Sequence, residues 1–313
     1  MKLVRHLCDM PCNEMREGSV VTIGSFDGVH LGHQELLQRV IATAHSQSLR
    51  SVVMSFEPTP KEFFQAERPP ARLMRFREKF EALADHGIDI FYCPRFNASM
   101  REISAADFIR RILVHGLNAR VMIVGDDFRF ASRREGNLEM LRKSGKALDF
   151  SVAQVESIRI AGLRVSSTAI REALRAGDMA LASALLGRPY QMSGKVVRGA
   201  GLGRKLGFPT ANVDLRRRQS AVNGIFAARV HGLQGGPHDG VASVGSRPTF
   251  GGLKPLLEVY LFDFERDIYG KHIQVDFIAQ LRRQKKYDDV DALVAQMHQD
   301  ADNAREILRR SSA

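Results

Sequence analysis

Val20-Val21-Thr22-Ile23-Gly24-Ser25-Phe26-Asp27-Gly28-Val29-His30-Leu31-Gly32-His33 carries a β-branched apolar run into a glycine-punctuated loop. The run predicts a buried strand. Just beyond it, Gln34 to Ala44 sets Leu36, Leu37, Val40 and Ile41 at helical spacing. Between a strand end and a helix start, backbone N–H groups and the helix dipole favour a phosphate, and glycines let a nucleotide approach closely. Two histidines spaced as HxGH can face that phosphate together. Attack on an α-phosphate needs charge stabilisation more than a protein nucleophile. Alone, however, HxGH also fits a surface pair or part of a metal site.

Working outward, the same alternation continues. Ser51 to Phe56 reads as a strand stopped by Pro58 and Pro60, Phe76 to His86 as a helix closed by Gly87, and Ile88 to Tyr92 as a strand. Ser104 caps an expected helix through Val114, and Val121 to Val124 follows as a strand. Strands alternating with helices imply a parallel sheet covered on both faces, a doubly wound α/β domain. After Leu186 the texture changes. Gly187-Arg188-Pro189 reads as a linker, and the short runs 194–198, 224–230, 240–244, 256–262 and 273–278 suggest a small antiparallel barrel. Apolar residues near helical spacing from Asp289 to Arg310 predict one helix packed on that barrel. The expected domains are 1–186 and 187–313.

Composition sets limits on function. The chain has 313 residues, 44% of them hydrophobic, and a formal net charge of +11. That charge fits a solvated surface, nucleic acid or small phosphorylated substrates equally well. No stretch approaches the length of a membrane span, and the N-terminus lacks a signal-peptide core. Cys8, Cys12 and Cys93 suggest neither a disulfide framework nor a zinc site. A cytoplasmic protein without a membrane partner is expected, and composition alone leaves nucleic acid open.

Further segments narrow the class. Ser55-Phe56-Glu57-Pro58-Thr59-Pro60 follows the second strand, and Val124-Gly125-Asp126-Asp127-Phe128-Arg129-Phe130 a later one. Val165-Ser166-Ser167-Thr168-Ala169-Ile170-Arg171 leads into a helix, where hydroxyls and an arginine can grip phosphates. With the opening motif these segments resemble the FMN adenylyltransferase module of the bifunctional bacterial riboflavin kinase/FAD synthetase family, whose fold is a Rossmann-like HxGH nucleotidyltransferase. The resemblance implies His30 and His33 as catalytic residues. It also implies nucleotide contacts at Gly24, Phe26, Ser167, Thr168 and Arg171, and a flavin contact at Asp127. Three positions depart from the family pattern. Ser25 stands where Asn is frequent, Thr59 where His is frequent, and Ala131-Ser132-Arg133-Arg134 replaces a glycine-containing turn.

The second half carries Gly199, Gly201 and Gly203, then Arg204 and Lys205, then Pro209-Thr210-Ala211-Asn212. A bare glycine series is a flexible hairpin, and neither a P-loop nor a protein-kinase fingerprint is present. The Pro-Thr-Ala-Asn run resembles the riboflavin kinase motif. By that resemblance, Thr210 and Asn212 are Mg²⁺ ligands, hard oxygen donors beside ATP. The glycines with Arg204 and Lys205 are nucleotide contacts. Glu258, in Leu257-Glu258-Val259-Tyr260, is the base for the ribityl hydroxyl, and Tyr260 sits where His is common. Arg282 to Lys286 reads as a solvated basic face.

The resemblance, running from about Val20 to Leu308, implies FAD synthesis in two steps. ATP and riboflavin give FMN, and a second ATP and FMN give FAD and pyrophosphate. Other readings are a nucleotidyltransferase with another phosphorylated acceptor, a riboflavin kinase alone, and a flavin- or nucleotide-binding protein without catalysis. Intact His30, His33, Thr210, Asn212 and Glu258 argue for two activities. Oligomeric state is left open.

Overall fold

The structure is a computed structural model and describes residues 1–199, 201–249 and 252–311; the side chains of 205, 247–249 and 252–254 also lie outside the described residues. The chain divides into two compact units, Met1–Pro70 with Met74–Val165, and Ala71–Leu73 with Ser166–Ala313.

In the first unit six parallel strands form a sheet: β1 (Lys2–Val4), β2 (Ser19–Ile23), β3 (Arg50–Met54), β4 (Ile90–Tyr92), β5 (Ala119–Gly125) and β6 (Ser151–Val155). Their order is β1-β4-β3-β2-β5-β6. Helices α1 (Leu31–Ser46), α2 (Pro60–Phe64), α3 (Phe76–Asp85), α4 (Ala98–Glu102), α5 (Ala105–Asp107) and α6 (Leu138–Leu148) connect them. Successive side chains of a strand point to opposite faces, so each face has its own core. Val20, Val53, Phe91 and Ile123 pack with Leu37, Val40 and Leu83 of α1 and α3. Val21, Val52, Ile90 and Met122 pack with Ile109, Leu113 and Leu141 on the other side. The helix expected from Ser104 to Val114 is a single α turn, α5, that continues as a π-helix over Phe108–Val114. The edge strands β1 and β6 escaped the sequence reading, β1 for its brevity and β6 for its exposed polar pattern.

The second unit opens with α7 (Ser167–Ala176) and α8 (Met179–Leu186). A two-stranded ribbon, β7 (Arg159–Ile160) with β8 (Leu163–Arg164), precedes them in the first unit. From the sequence, α7 and α8 ended the first domain. They pack on each other, and α8 packs on β9 and β14 of the barrel. Its apolar face, Met179, Ala182, Leu185 and Leu186, is buried. The intended linker is only the left-handed Gly187 cap and two residues before the next strand.

The barrel comprises β9 (Tyr190–Val197), β10 (Thr210–Asp214), β11 (Gly224–His231), β12 (His238–Thr249), β13 (Gly252–Leu261) and β14 (His272–Arg282). It closes in the order β10-β13-β12-β11-β14-β9, antiparallel throughout. A short helix, α9 (Leu202–Lys205), lies between β9 and β10. Leu257, Val259, Val244 and Val275 are buried inside, and alternate residues point outward. Part of that outer surface, Ala227, Val241 and Tyr260, is covered by Ala301, Ala304 and Leu308 of α10 (Val290–Arg310).

A buried ion pair joins α10 to the barrel. Arg282 Nε donates to both Asp300 oxygens at 3.0 Å, its Nη2 donates at 2.8 Å, and Gln296 Nε2 adds a bond at 3.0 Å. Arg282 therefore leaves the solvated face expected of residues 282–286. Asp300→Ala should destabilise the second unit by about 2–3 kcal/mol, because it leaves a largely buried guanidinium without its carboxylate. Denaturant unfolding followed by barrel-sensitive circular dichroism measures this, and a loss below about 0.5 kcal/mol would show the pair to be dispensable.

Candidate active sites

In the first unit the chain winds from β2 to β3 and β4 on one side, then returns to β5 on the other. A crevice opens at such a reversal, outside the carboxyl ends of the strands, and is where open α/β sheets bind ligands. The opening motif leaves β2 there, and Asp126-Asp127 leaves β5. Gly24 N donates to Met54 O at 3.1 Å, tying the loop to β3. Phe26 is fully buried at φ 47°, and Val29 has φ 41°. Positive φ in a bulky and a β-branched residue is strain of the kind held at functional loops.

His30 is the N-cap of α1, an unusual use of imidazole. Its Nδ1 accepts from the His33 backbone N at 3.3 Å. An accepting Nδ1 carries no proton, so the neutral ring presents Nε2–H as its donor. The two imidazoles stack with centroids 3.6 Å apart, and Phe26 flanks His33 at 4.9 Å. A Cβ at Gly32 would lie in contact with the His30 ring, 3.4 Å from its Cε1 and Nδ1. Burial above all, then the neighbouring His30 and Lys79, holds His33 well below the ordinary histidine range. Lys79 is buried on α3. Sequence reasoning missed it, although a lysine three residues after Phe76 and four before Leu83 on an apolar face was the available signal. The buried Asp27 accepts from Met74 N at 2.9 Å, fixing the chain that leads into α3.

Thr59 is engaged in local structure. It caps α2 in a reciprocal box with Glu62, whose Oε2 accepts from Thr59 N at 2.9 Å and from Thr59 Oγ1 at 3.0 Å. Asp127 is exposed and pairs with Arg164 Nη2 at 2.9 Å. Arg164 also reaches Asp126, whose carboxyl is held below its ordinary range chiefly by the Ser157 hydroxyl. In the 131–134 turn, Ala131 (φ 63°, ψ −171°), Arg133 and Arg134 all have positive φ, the conformations that glycine adopts without penalty.

In the second unit Ser166 caps α7, and Ser167 and Thr168 occupy its first turn. Arg171 Nε donates to Ala71 O at 2.7 Å and its Nη1 to Ser167 O at 3.0 Å. On the barrel, Asn212 of β10 stands opposite Glu258 of β13, and Thr210 opposite Tyr260. Opposite residues share a face, so Thr210, Asn212 and Glu258 all lie on the outer surface. Gly199 is packed against the buried Asn212 amide, and an added Cβ there would collide with it. A Cβ at Gly203 would come within 3.1 Å of Thr210 Oγ1. The glycine loop thus closes over both proposed ligands. Gly201 caps α9 at positive φ, Arg204 is exposed, and the Lys205 side chain lies outside the described residues.

Two adjoining sequence families account for this pairing of folds. Residues 12–169 match the FAD synthetase family and residues 186–308 the riboflavin kinase family. The bifunctional riboflavin kinase/FMN adenylyltransferase of Escherichia coli K12 is 44% identical over 308 residues, covering 98% of each chain. The chain belongs to the bifunctional riboflavin kinase/FMN adenylyltransferase family. Other members, from Haemophilus influenzae and Pseudomonas fluorescens, are each 41% identical, covering 97% and 100% of this chain and 98% and 99% of their own. A solved structure described as a macrolide-efflux protein from Streptococcus pneumoniae aligns with a TM-score of 0.82 at 31% identity, over 97% of this chain and 98% of its own. Among the described residues, no helix is long and apolar enough to cross a membrane.

Two outcomes follow from the geometry. The unfolded chain protonates His33 near pH 6.5, whereas the folded chain resists until much lower pH, so His33 draws stability down as pH falls below about 6.5. Denaturant unfolding at several pH values should therefore show a shallower acid loss in His33→Gln. Ala131→Gly should raise stability by about 1 kcal/mol, relief of backbone strain exceeding the added chain entropy. A lower melting temperature for that variant would contradict the strain.

Proposed function

We propose that the chain makes FAD from riboflavin in two ATP-dependent steps, one in each module. The phosphorylation module is 187–313 and the adenylylation module is 1–186, which keeps the Ser167, Thr168 and Arg171 run with the histidine motif. The observation that carries this reading is the stacked His30–His33 pair at the sheet's reversal in a chain that also bears the Asn212–Glu258 row on its barrel.

On the barrel, Glu258 takes the proton of the riboflavin 5′-hydroxyl while that oxygen attacks the γ-phosphorus of ATP; FMN and ADP result. The residues fit Mg²⁺ delivered with ATP, because Thr210 and Asn212 offer two neutral oxygens beside one carboxylate. The described residues contain no cluster of three or more His, Cys, Asp or Glu placed to hold a metal. A metal that keeps waters and phosphate oxygens needs no such cage. When bound, Mg²⁺ would neutralise phosphate charge. Gly199, Gly201, Gly203, Arg204 and Lys205 would close over the triphosphate.

In the adenylylation module an FMN phosphate oxygen attacks the α-phosphorus of ATP and pyrophosphate leaves. His30 donates from Nε2 to the oxygens that gain charge, and neutral His33 supports it. Gly24, Phe26, Ser167, Thr168 and Arg171 hold the nucleotide, and Asp127 borders the flavin. No covalent enzyme intermediate is required. The net charge of +11 suits ATP, FMN and pyrophosphate, with nucleic acid and membrane outside the reading.

Purified protein incubated with riboflavin, ATP and Mg²⁺ should yield FMN and then FAD on chromatography. His30→Ala should lower FAD formation about 10²–10³-fold and spare FMN formation. Glu258→Ala should suppress FMN formation about 10²–10⁴-fold yet still convert supplied FMN to FAD. Equal loss of both activities in either variant would falsify the division of labour.

A further inference from the structure

Glu258 has a neighbour on each side at its own level of the barrel. Asn212 stands opposite on β10, and Ser243 stands opposite on β12. Directly opposite residues on antiparallel strands have Cβ atoms about 5 Å apart, on one face. Along β12, Ala242 and Val244 are buried inside the barrel, while Ser243 is half-buried and faces outward with Glu258. Asn212 is taken up by the proposed metal position. Ser243 has no part in that chemistry as it stands.

Gln284 singles out this serine. Its Nε2 lies 3.1 Å from Ser243 Oγ and 3.3 Å from Val244 O. A carbonyl only accepts, so this Gln284 atom is the amide nitrogen and donates to both. Ser243 Oγ therefore accepts from Gln284, and its own hydroxyl hydrogen is turned to donate elsewhere. Gln284 is placed for this by the strand before it, since the last residue of β14, Arg282, is clamped by Asp300. At position 245 a glycine leaves room, as an added Cβ would lie 3.3 Å from Gln284 Nε2.

We propose that Ser243, oriented by Gln284, is a positioning residue for the kinase step. When substrate is bound, its hydroxyl donates to one oxygen of Glu258 and turns the other toward the riboflavin 5′-hydroxyl; in the structure the two are paired across the strands. The inference rests on Glu258 being the base. The terminal torsion of a glutamate is broad, so one directed hydrogen bond narrows the carboxylate's orientations substantially. Among the described residues, the charged and titratable groups on the adjoining segments are Asp214 on β10, Tyr260 on β13, Arg204 on α9, and Arg283, Lys285 and Lys286 beside Gln284. On β12, Ser243 is flanked on its own face by Val241 and Gly245.

Steady-state kinetics of the full chain test the assignment. Ser243→Ala should lower kcat for FMN formation about tenfold with the riboflavin KM within about twofold, since the bond acts on the base and leaves substrate binding intact. Ser243→Thr, which keeps the hydroxyl, should recover most of kcat, and conversion of supplied FMN to FAD should be unchanged. Gln284→Leu should lower kcat severalfold, and the double variant should be no slower than Ser243→Ala, because both act through one hydroxyl. Wild-type kcat in Ser243→Ala overturns the proposal, as does a raised KM at constant kcat, which would make Ser243 a substrate contact. Glu258→Gln separates the two levels. If Glu258→Gln is inactive while Ser243→Ala runs at full speed, positioning alone fails; if Glu258→Gln stays active, the base assignment fails and positioning with it.

Discussion

A strand hydrogen-bonded on both sides cannot slide without breaking two ladders at once. A slip of one residue would also turn its buried side chains to the wrong face. In the first unit β2 is such a strand, held between β3 and β5 with all five residues buried. That constraint decides where Gly24 leaves the sheet, and so where the histidines arrive. In the barrel the same constraint acts on β10 and β13. Asn212 meets Glu258 because Thr210 meets Tyr260 and Val213 meets Leu257, whose side chain fills the interior. Hydrophobic burial inside the barrel thus sets the position of polar chemistry on its outer surface.

Both candidate sites depart from ordinary local rules. His30 occupies a helix cap where serine or aspartate would serve stability better, and in return its tautomer is determined by a backbone donor. Phe26 and Val29 hold positive φ in the same loop. The loop is braced by Asp27 on Met74 and by the core that Phe26 and Val29 share with α1 and α3, which is where the stabilisation offsetting this strain resides. On the barrel the glycines reverse the logic, removing side chains so that backbone can lie against Asn212 and Thr210.

Much of this was legible from residue order. Continuous apolar runs marked β2, β3 and β5, which are buried on both faces, and the 3.6-residue period marked α1, α3 and α10, each of which buries one face. The doubly wound and barrel folds followed from the alternation and spacing of those elements. The strands at the sheet edges were not legible, since a short or polar strand is stabilised by its neighbour's backbone more than by its own pattern. β10 was hidden for a similar reason: Thr210 and Asn212 are polar and give the short strand no apolar pattern. α7 and α8 read as the end of one domain, but α8 packs on β9 and β14 of the barrel and α7 on α8, and sequence order does not disclose which core a helix joins.

By itself the sequence determined the two fold classes, the HxGH loop at a helix start and the Pro-Thr-Ala-Asn run after a glycine series. These are local patterns, set by residues adjacent along the chain. Tertiary structure alone decided that burial, and then His30 and Lys79, depress the proton affinity of His33, that Arg164 pairs with Asp127, and that Arg282 clamps α10 through Asp300. It also decided that Ser243 and Gln284, forty-one residues apart, meet beside Glu258. Those facts depend on register and on burial across distant segments, and neither is a property of any one stretch of chain.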